Sequence, residues 1–192
     1  NLLSGSSDAE AKAEAAGAVG SLCKGHTVVT RLALEAGALE PIVKLLEEQS
    51  ECAERKGAGA LAMMMLEDEC QYQEAVARAG GIPLLVKLLE DPSRPEALAH
   101  AATALSKLMD GNTLMQTAVA RAGGIPLLVT SLQDSSANMV VIAAASALRN
   151  ITAKHANNRA AFAAAGGILP LVRKLATEGL EMQTEMTSTL CN

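Results

Sequence analysis

Aromatic side chains are almost missing from this chain of 192 residues: Tyr72 and Phe162 are the only two, and there is no tryptophan. That scarcity removes the usual bulky fillers of a globular core and the platforms on which bases stack. An excess of positive charge is missing as well, with 16 basic against 21 acidic side chains and a formal net charge of −5. No nucleic-acid partner is expected on that balance. Long apolar runs are also absent, because the longest uncharged stretches run from Ser135 to Leu148 and from Ala160 to Val172. Both fall short of the roughly 20 apolar residues a membrane-spanning helix needs, so no membrane span is expected. Asn1 to Glu10, with no basic start and an acidic tail, does not resemble a signal peptide. Cys23, Cys52, Cys70 and Cys191 show no C-x-x-C spacing and read as reduced, mostly buried thiols of an intracellular protein, cytoplasmic in preference to nuclear.

What fills the core must then be aliphatic and small. The chain carries 37 alanines and 15 glycines against 6 prolines, a composition that favours helices packed at close range over sheets.

The dominant signal is internal repetition. Ala36-Gly37-Ala38, Ala79-Gly80-Gly81, Ala122-Gly123-Gly124 and Ala165-Gly166-Gly167 recur at a constant spacing of 43 residues. The twelve residues Ala75 to Val86 return unchanged at Ala118 to Val129, with variants at Leu39 to Leu46 and Ile168 to Leu175. A period in this range marks a solenoid, in which each unit buries its apolar face on its neighbours.

Three helices are expected per unit. The first, about Thr113 to Ala122 in one repeat, ends where glycine supplies a left-handed cap. The second starts at once with Pro126, like Pro83, in its first turn, and buries Ile125, Leu128, Val129 and Leu132 at i, i+3, i+4 and i+7. Capping boxes are expected at Ser7 with Glu10 and at Ser93 with Glu96, opening the third helix. That third helix holds the alanines, as in Ala143 to Leu148, Ala101 to Leu105 and Ala58 to Leu61, so neighbouring units can stack closely.

The wording Ala79-Gly-Gly-Ile-Pro-Leu-Leu-Val-Lys-Leu-Leu89, together with Ala147-Leu-Arg-Asn-Ile-Thr152, resembles the armadillo repeat family. The resemblance covers the whole chain and implies an all-α fold, a right-handed α-solenoid or superhelix with about 43 residues and three helices per repeat. The expected division is one solenoid over 1–192, with a partial repeat 1–25, repeats 26–68, 69–111 and 112–154, and an incomplete repeat 155–192. On that alignment the chain opens late in a second helix and stops inside a third, and is expected to be a segment of a longer solenoid protein.

In the family, third helices line a concave groove that holds an extended peptide, where asparagines bond its backbone and tryptophans one turn earlier separate its side chains. Carried over residue by residue, Asn150 and Asn192 match the asparagine position, whose amide both donates and accepts. Lys107, Met64 (or Met63, if this helix is shifted by one) and Ser21 stand at its equivalents. The tryptophan positions hold Gly17, Ala60 or Gly59, Thr103, Ser146 and Ser188, so recognition of nuclear-localisation signals is not expected. Further along the same ladder stand Lys24, Glu67, Asp110 and Ala153 on one side and Glu14, His100 and Ala143 on the other, a mixture of charges that suits neither a strongly basic nor a strongly acidic partner. The candidate peptide-binding residues are Ser21, Met64, Thr103, Lys107, Ser146, Asn150 and Asn192.

No phosphate loop, nucleophile elbow, dinucleotide fingerprint or metal-ligand spacing occurs, so no enzyme activity, cofactor, metal or small-molecule substrate is expected. Lys44, Lys87, Thr130 and Arg173 recur as a solvated face of the second helix, Arg78 and Arg121 meet the negative ends of their first helices, and Met63-Met64-Met65 reads mainly as core filling. The leading expectation is a protein-protein interaction scaffold. The alternatives are a structural subunit packing on folded neighbours, and the accessory solenoid of a larger enzyme such as a ubiquitin ligase.

Overall fold

A computed structural model describes residues 9–48, 50–65 and 70–177, together with 187 and 189. Twelve α-helices follow one another in those residues, and no strand is found among them. They are α1 (Ala9–Cys23), α2 (Thr27–Glu35), α3 (Leu39–Lys44, continued by a 3-10 turn Leu45–Glu47), α4 (Glu51–Met64), α5 (Cys70–Arg78), α6 (Gly81–Leu88), α7 (Pro95–Met109), α8 (Thr113–Arg121), α9 (Gly124–Asp134), α10 (Asn138–Thr152), α11 (Ala156–Ala164) and α12 (Ile168–Thr177). The order third helix, first, second, third recurs along the chain, giving an all-α solenoid.

The glycine phrase does two jobs. Gly37, Gly80, Gly123 and Gly166 all take positive φ, between 74° and 85°, so each first helix turns abruptly into the second, as only glycine permits cheaply. The following position is governed by contact. A Cβ on Gly81 or Gly124 would lie 2.7 Å from Val76 Cγ1 or Val119 Cγ1, and one on Gly167 would lie 2.0 Å from the Phe162 ring. Ala38 carries a Cβ at this position because the facing residue there, five positions earlier, is Ala33. Glycine thus accompanies a large residue five positions before it, and alanine accompanies a small one.

The second helices bury the residues their spacing predicts: Ile82, Leu85, Val86 and Leu89, and Ile125, Leu128, Val129 and Leu132. Ile168 and Val172, in the matching register of α12, are instead half exposed.

The third helices α1, α4, α7 and α10 form the central layer, each packed on the next. Alanine makes this possible, with Ala13 and Ala16, Ala58 and Ala60, Ala101 and Ala104, and Ala144 and Ala147 all fully buried. At Gly20 the approach is so close that an added Cβ would sit 2.7 Å from Ala60 Cα, which explains why the small residues concentrate on these helices. Met64 and Met65 fill core space that aromatics would otherwise occupy.

The capping boxes require correction. Ser93 does not cap α7, whose N-cap is Arg94 followed by Pro95 at N1. Ser93 lies one residue too early, and both its N–H and its hydroxyl bond Asp91 Oδ1 in a local turn. Ser7 lies outside the described residues. The side-chain caps are elsewhere: Asn112 accepts from the Leu114 and Met115 N–H groups at 3.1 and 3.2 Å to open α8, and His155 Nδ1 accepts from the Asn158 N–H to open α11.

Candidate functional site: the third-helix groove

The expected groove residues within the described residues fall on consecutive third helices, Ser21 on α1, Met64 on α4, Thr103 and Lys107 on α7, and Ser146 and Asn150 on α10. Their availability differs.

Ser21 and Lys107 are exposed, and Thr103 and Ser146 half buried. The Ser21 hydroxyl donates to the Gly17 carbonyl at 2.9 Å and the Thr103 hydroxyl to the Ala99 carbonyl at 2.8 Å. Each proton is used within its own helix, one turn back, which leaves only the oxygen lone pairs to meet a partner.

Asn150 is only 9% exposed. Its amide Nδ2 donates to the Ser106 carbonyl at 2.9 Å and to Ser106 Oγ at 3.1 Å, and Ser106 Oγ in turn pairs with Ser146 Oγ at 3.0 Å. The reason lies in helix termination. At the end of α7 the Asp110 N–H bonds the Lys107 carbonyl, so the Ser106 carbonyl, four residues before Asp110, is one of the acceptors a helix end leaves over. Asn150 satisfies it from the next repeat. Among the described residues no donor bonds Asn150 Oδ1, so the acceptor half of the amide is what the groove retains.

Lys107 reaches the other way, its ammonium donating to the Met65 carbonyl at 3.1 Å, where a cation meets the negative end of α4. Met64 is corrected: it is fully buried, and Met63, half buried, takes the groove-facing place, as the one-residue shift of this helix requires. Ala143 is likewise buried. Asn192, Glu67 and Ser188 lie outside the described residues.

Of the ladder charges Glu14 is paired across helices, and a second cross-helix pair lies beside it. Lys56 Nζ lies 3.0 Å from Glu14 Oε2, joining α4 to α1, and Arg55 Nη1 lies 3.4 Å from Glu96 Oε2, joining α4 to α7. These partly exposed pairs contribute little stability, but they leave the surface between them without a field of one sign. His100 lies there with its ring against Gly59. Burial first, and the Arg55 guanidinium second, hold its pKa below the ordinary value, against a smaller opposing pull from Glu96.

A second polar series, on the first helices, holds the ends of the third helices in place. Thr30 Oγ1 donates to the Cys23 carbonyl at 3.2 Å, Gln116 Nε2 to Met109 at 3.4 Å and Asn158 Nδ2 to Ile151 at 2.9 Å, each seven residues back. Gln73 Nε2 donates instead to the Lys107 and Asp110 carbonyls, both at 3.1 Å, and Gln73 Oε1 accepts from Asn112. All four are buried. Thr30, Gln73 and Gln116 stand 43 residues apart and Asn158 one residue short of that, so the repeat register itself carried a signal for them.

A model of the armadillo/beta-catenin-like repeat matches residues 70–110 and 114–153. Among solved structures the chain is similar to an engineered protein of the Northeast Structural Genomics Consortium, at 32% identity and a TM-score of 0.91, over 98% of this chain and 75% of that one. It is similar also to a designed armadillo repeat protein in complex with the peptide (KR)4, at 27% identity and a TM-score of 0.88, over 98% of this chain and 77% of that one. The chain belongs to the armadillo repeat family. Computationally designed armadillo repeat proteins for modular peptide recognition share the fold too, at 26% identity and a TM-score of 0.87, over 99% of this chain and 81% of theirs. No curated protein matches by sequence. Among the described residues of this armadillo chain no helix is long and apolar enough to cross a membrane.

Proposed function

We propose that this armadillo solenoid is a non-enzymatic protein-protein interaction scaffold that holds an extended partner segment along its third-helix groove. The observation that carries the reading is the row of side chains left partly open on successive third helices, namely Ser21, Met63, Thr103, Lys107 and Ser146. The designed relatives that bind or are designed to recognise peptides support it. The repeat division given above, 1–25, 26–68, 69–111, 112–154 and 155–192, is the register in which one partner segment would be read. Cys23 and Cys52, both without a disulfide, support an intracellular setting with the cytoplasm favoured.

Peptide-display selection on the purified chain tests this reading, run beside the double variant Met63→Arg/Thr103→Arg. Neither of those side chains bonds a neighbouring repeat, so circular dichroism should show the variant as helical as the parent. A shared motif enriched on the parent and lost on the variant is the expected result. No enrichment, or enrichment that the variant retains, overturns the groove and favours the structural-subunit alternative, in which broad faces pack on folded neighbours.

A further inference from the structure

Between α1, α4 and α7 the groove deepens into a hollow of about 390 Å³. It exists because Gly17 and Gly59, the first a tryptophan-equivalent position in the family register and the second one of two candidates for it, carry no side chain. The space is lined also by His100, Met63, Arg55, Lys56 and Ser21. An ideal Cβ on Gly59 would meet the His100 ring at 3.6 to 3.7 Å and one on Gly17 would meet Lys56 Cδ at 3.2 Å, so the ring borders one glycine and the stem the other.

The lining decides among occupants. Lys56 is paired with Glu14 and Arg55 with Glu96, so an incoming acidic or basic side chain would have to break a pair to gain one. Burial, and then the Arg55 guanidinium, hold the His100 pKa below its ordinary value, which disfavours its charged form. What remains is a set of groups that prefer a π-system: a flat ring, a guanidinium available to an aromatic face, and a polarisable sulfur. We propose that this hollow receives an aromatic side chain carried by the extended partner segment. The inference rests on the groove reading and adds to it the chemistry of one anchor residue: where the chain lacks a tryptophan of its own, the partner supplies a ring.

Ring-current shifts test this directly, with methionine methyl groups labelled and Met63 assigned through Met63→Leu. The probes are N-acetyl-tryptophan amide, N-acetyl-leucine amide and N-acetyl-aspartate amide. Tryptophan amide should move the Met63 methyl signal upfield and saturate with a dissociation constant on the order of 1 mM, as suits a ligand of its size. The leucine and aspartate amides should bind at least about tenfold more weakly. Gly59→Leu, whose Cβ makes only ordinary contacts, and Ser21→Trp, which fills the hollow from an exposed position, should each abolish the shift while circular dichroism stays unchanged. Equal response to leucine or aspartate amide, no saturable shift, or a shift that survives both substitutions overturns the proposal. The two readings fail separately. A display motif without an aromatic residue, lost on Met63→Arg/Thr103→Arg, keeps the groove and removes this anchor, whereas saturable tryptophan amide binding with no enriched peptide keeps the hollow and removes the groove.

Discussion

Asn150→Ala is the substitution that separates holding the solenoid together from holding a partner. In the folded chain the Asn150 amide makes two bonds to Ser106, to its carbonyl at 2.9 Å and its hydroxyl at 3.1 Å. The hydroxyl keeps Ser146 as a second partner, so its loss costs little. The carbonyl has no such reserve, since the Asp110 N–H bonds Lys107 instead. A buried acceptor left unsatisfied costs about 1–3 kcal/mol, so Asn150→Ala should destabilise by about 2 kcal/mol and lower the melting temperature by roughly 4–8 °C for a chain of this length. Urea denaturation followed by helical circular dichroism measures it. Ser106→Ala, which removes only the hydroxyl and keeps the carbonyl bond, should cost about 1 kcal/mol or less. Asn150→Asp, with an acceptor where the donor was, should cost at least as much as Asn150→Ala. A loss below about 0.5 kcal/mol for Asn150→Ala, or a larger loss for Ser106→Ala than for Asn150→Ala, refutes the assignment of this amide to the Ser106 carbonyl.

Gly124→Ala drives a methyl to 2.7 Å from Val119 Cγ1 and should destabilise by about 1–3 kcal/mol through overpacking; Val119→Ala, which recreates the Ala33 and Ala38 pairing, should cost less in the Gly124→Ala background than in the parent, and strictly additive losses in urea denaturation would contradict the contact. His100 has a folded-state pKa below its ordinary 6.5, through burial and then Arg55, so protonation favours the unfolded chain. The stability contributed by the neutral ring is therefore complete above about pH 6.5 and declines as pH falls through that value toward the folded pKa. Urea midpoints of the parent and His100→Gln between pH 7.5 and 5 should diverge in slope, and parallel slopes would remove His100 as the cause.

The fold was legible because its two strongest determinants are periodic. The glycine phrase and the apolar spacing of the second helices repeat with the unit, and the structure uses both at the same positions. The site was only partly legible, for a physical reason visible in Asn150 and Met64. A register position states which helix and turn a residue occupies, but whether its polar atoms face a ligand or a neighbouring carbonyl depends on how the previous helix ends. Met64 differs because α4 is offset by one residue, so a spacing of 43 lands on the buried side. Gln73 and Gln116 share the period too, but a first-helix amide acquires its role only from the third-helix carbonyls that end beside it. The pairing of Gly81 with Val76, Gly124 with Val119 and Ala38 with Ala33 was also in the sequence, but only the close approach between those positions gives it meaning.

The groove polar groups, taken together, constrain what a partner can offer. Ser21 and Thr103 have given their protons to their own helices, and Asn150 has given its amide hydrogens to Ser106. Lys107 donates to Met65. What the hydroxyl oxygens of Ser21 and Thr103 and the Oδ1 of Asn150 would offer a partner on the proposed groove reading is therefore mainly acceptor capacity. Matching them requires donors, and the N–H groups of an extended backbone supply donors at regular intervals whatever the side chains are. Backbone contacts of this kind give affinity without selectivity. On the groove reading proposed above, selectivity would come from where side chains can enter, which the hollow beside Gly59 would set. Replacing peptide N–H groups by N-methyl along an enriched sequence should weaken binding at alternate positions, whereas changing the side chain over Gly59 should alter which sequence is selected.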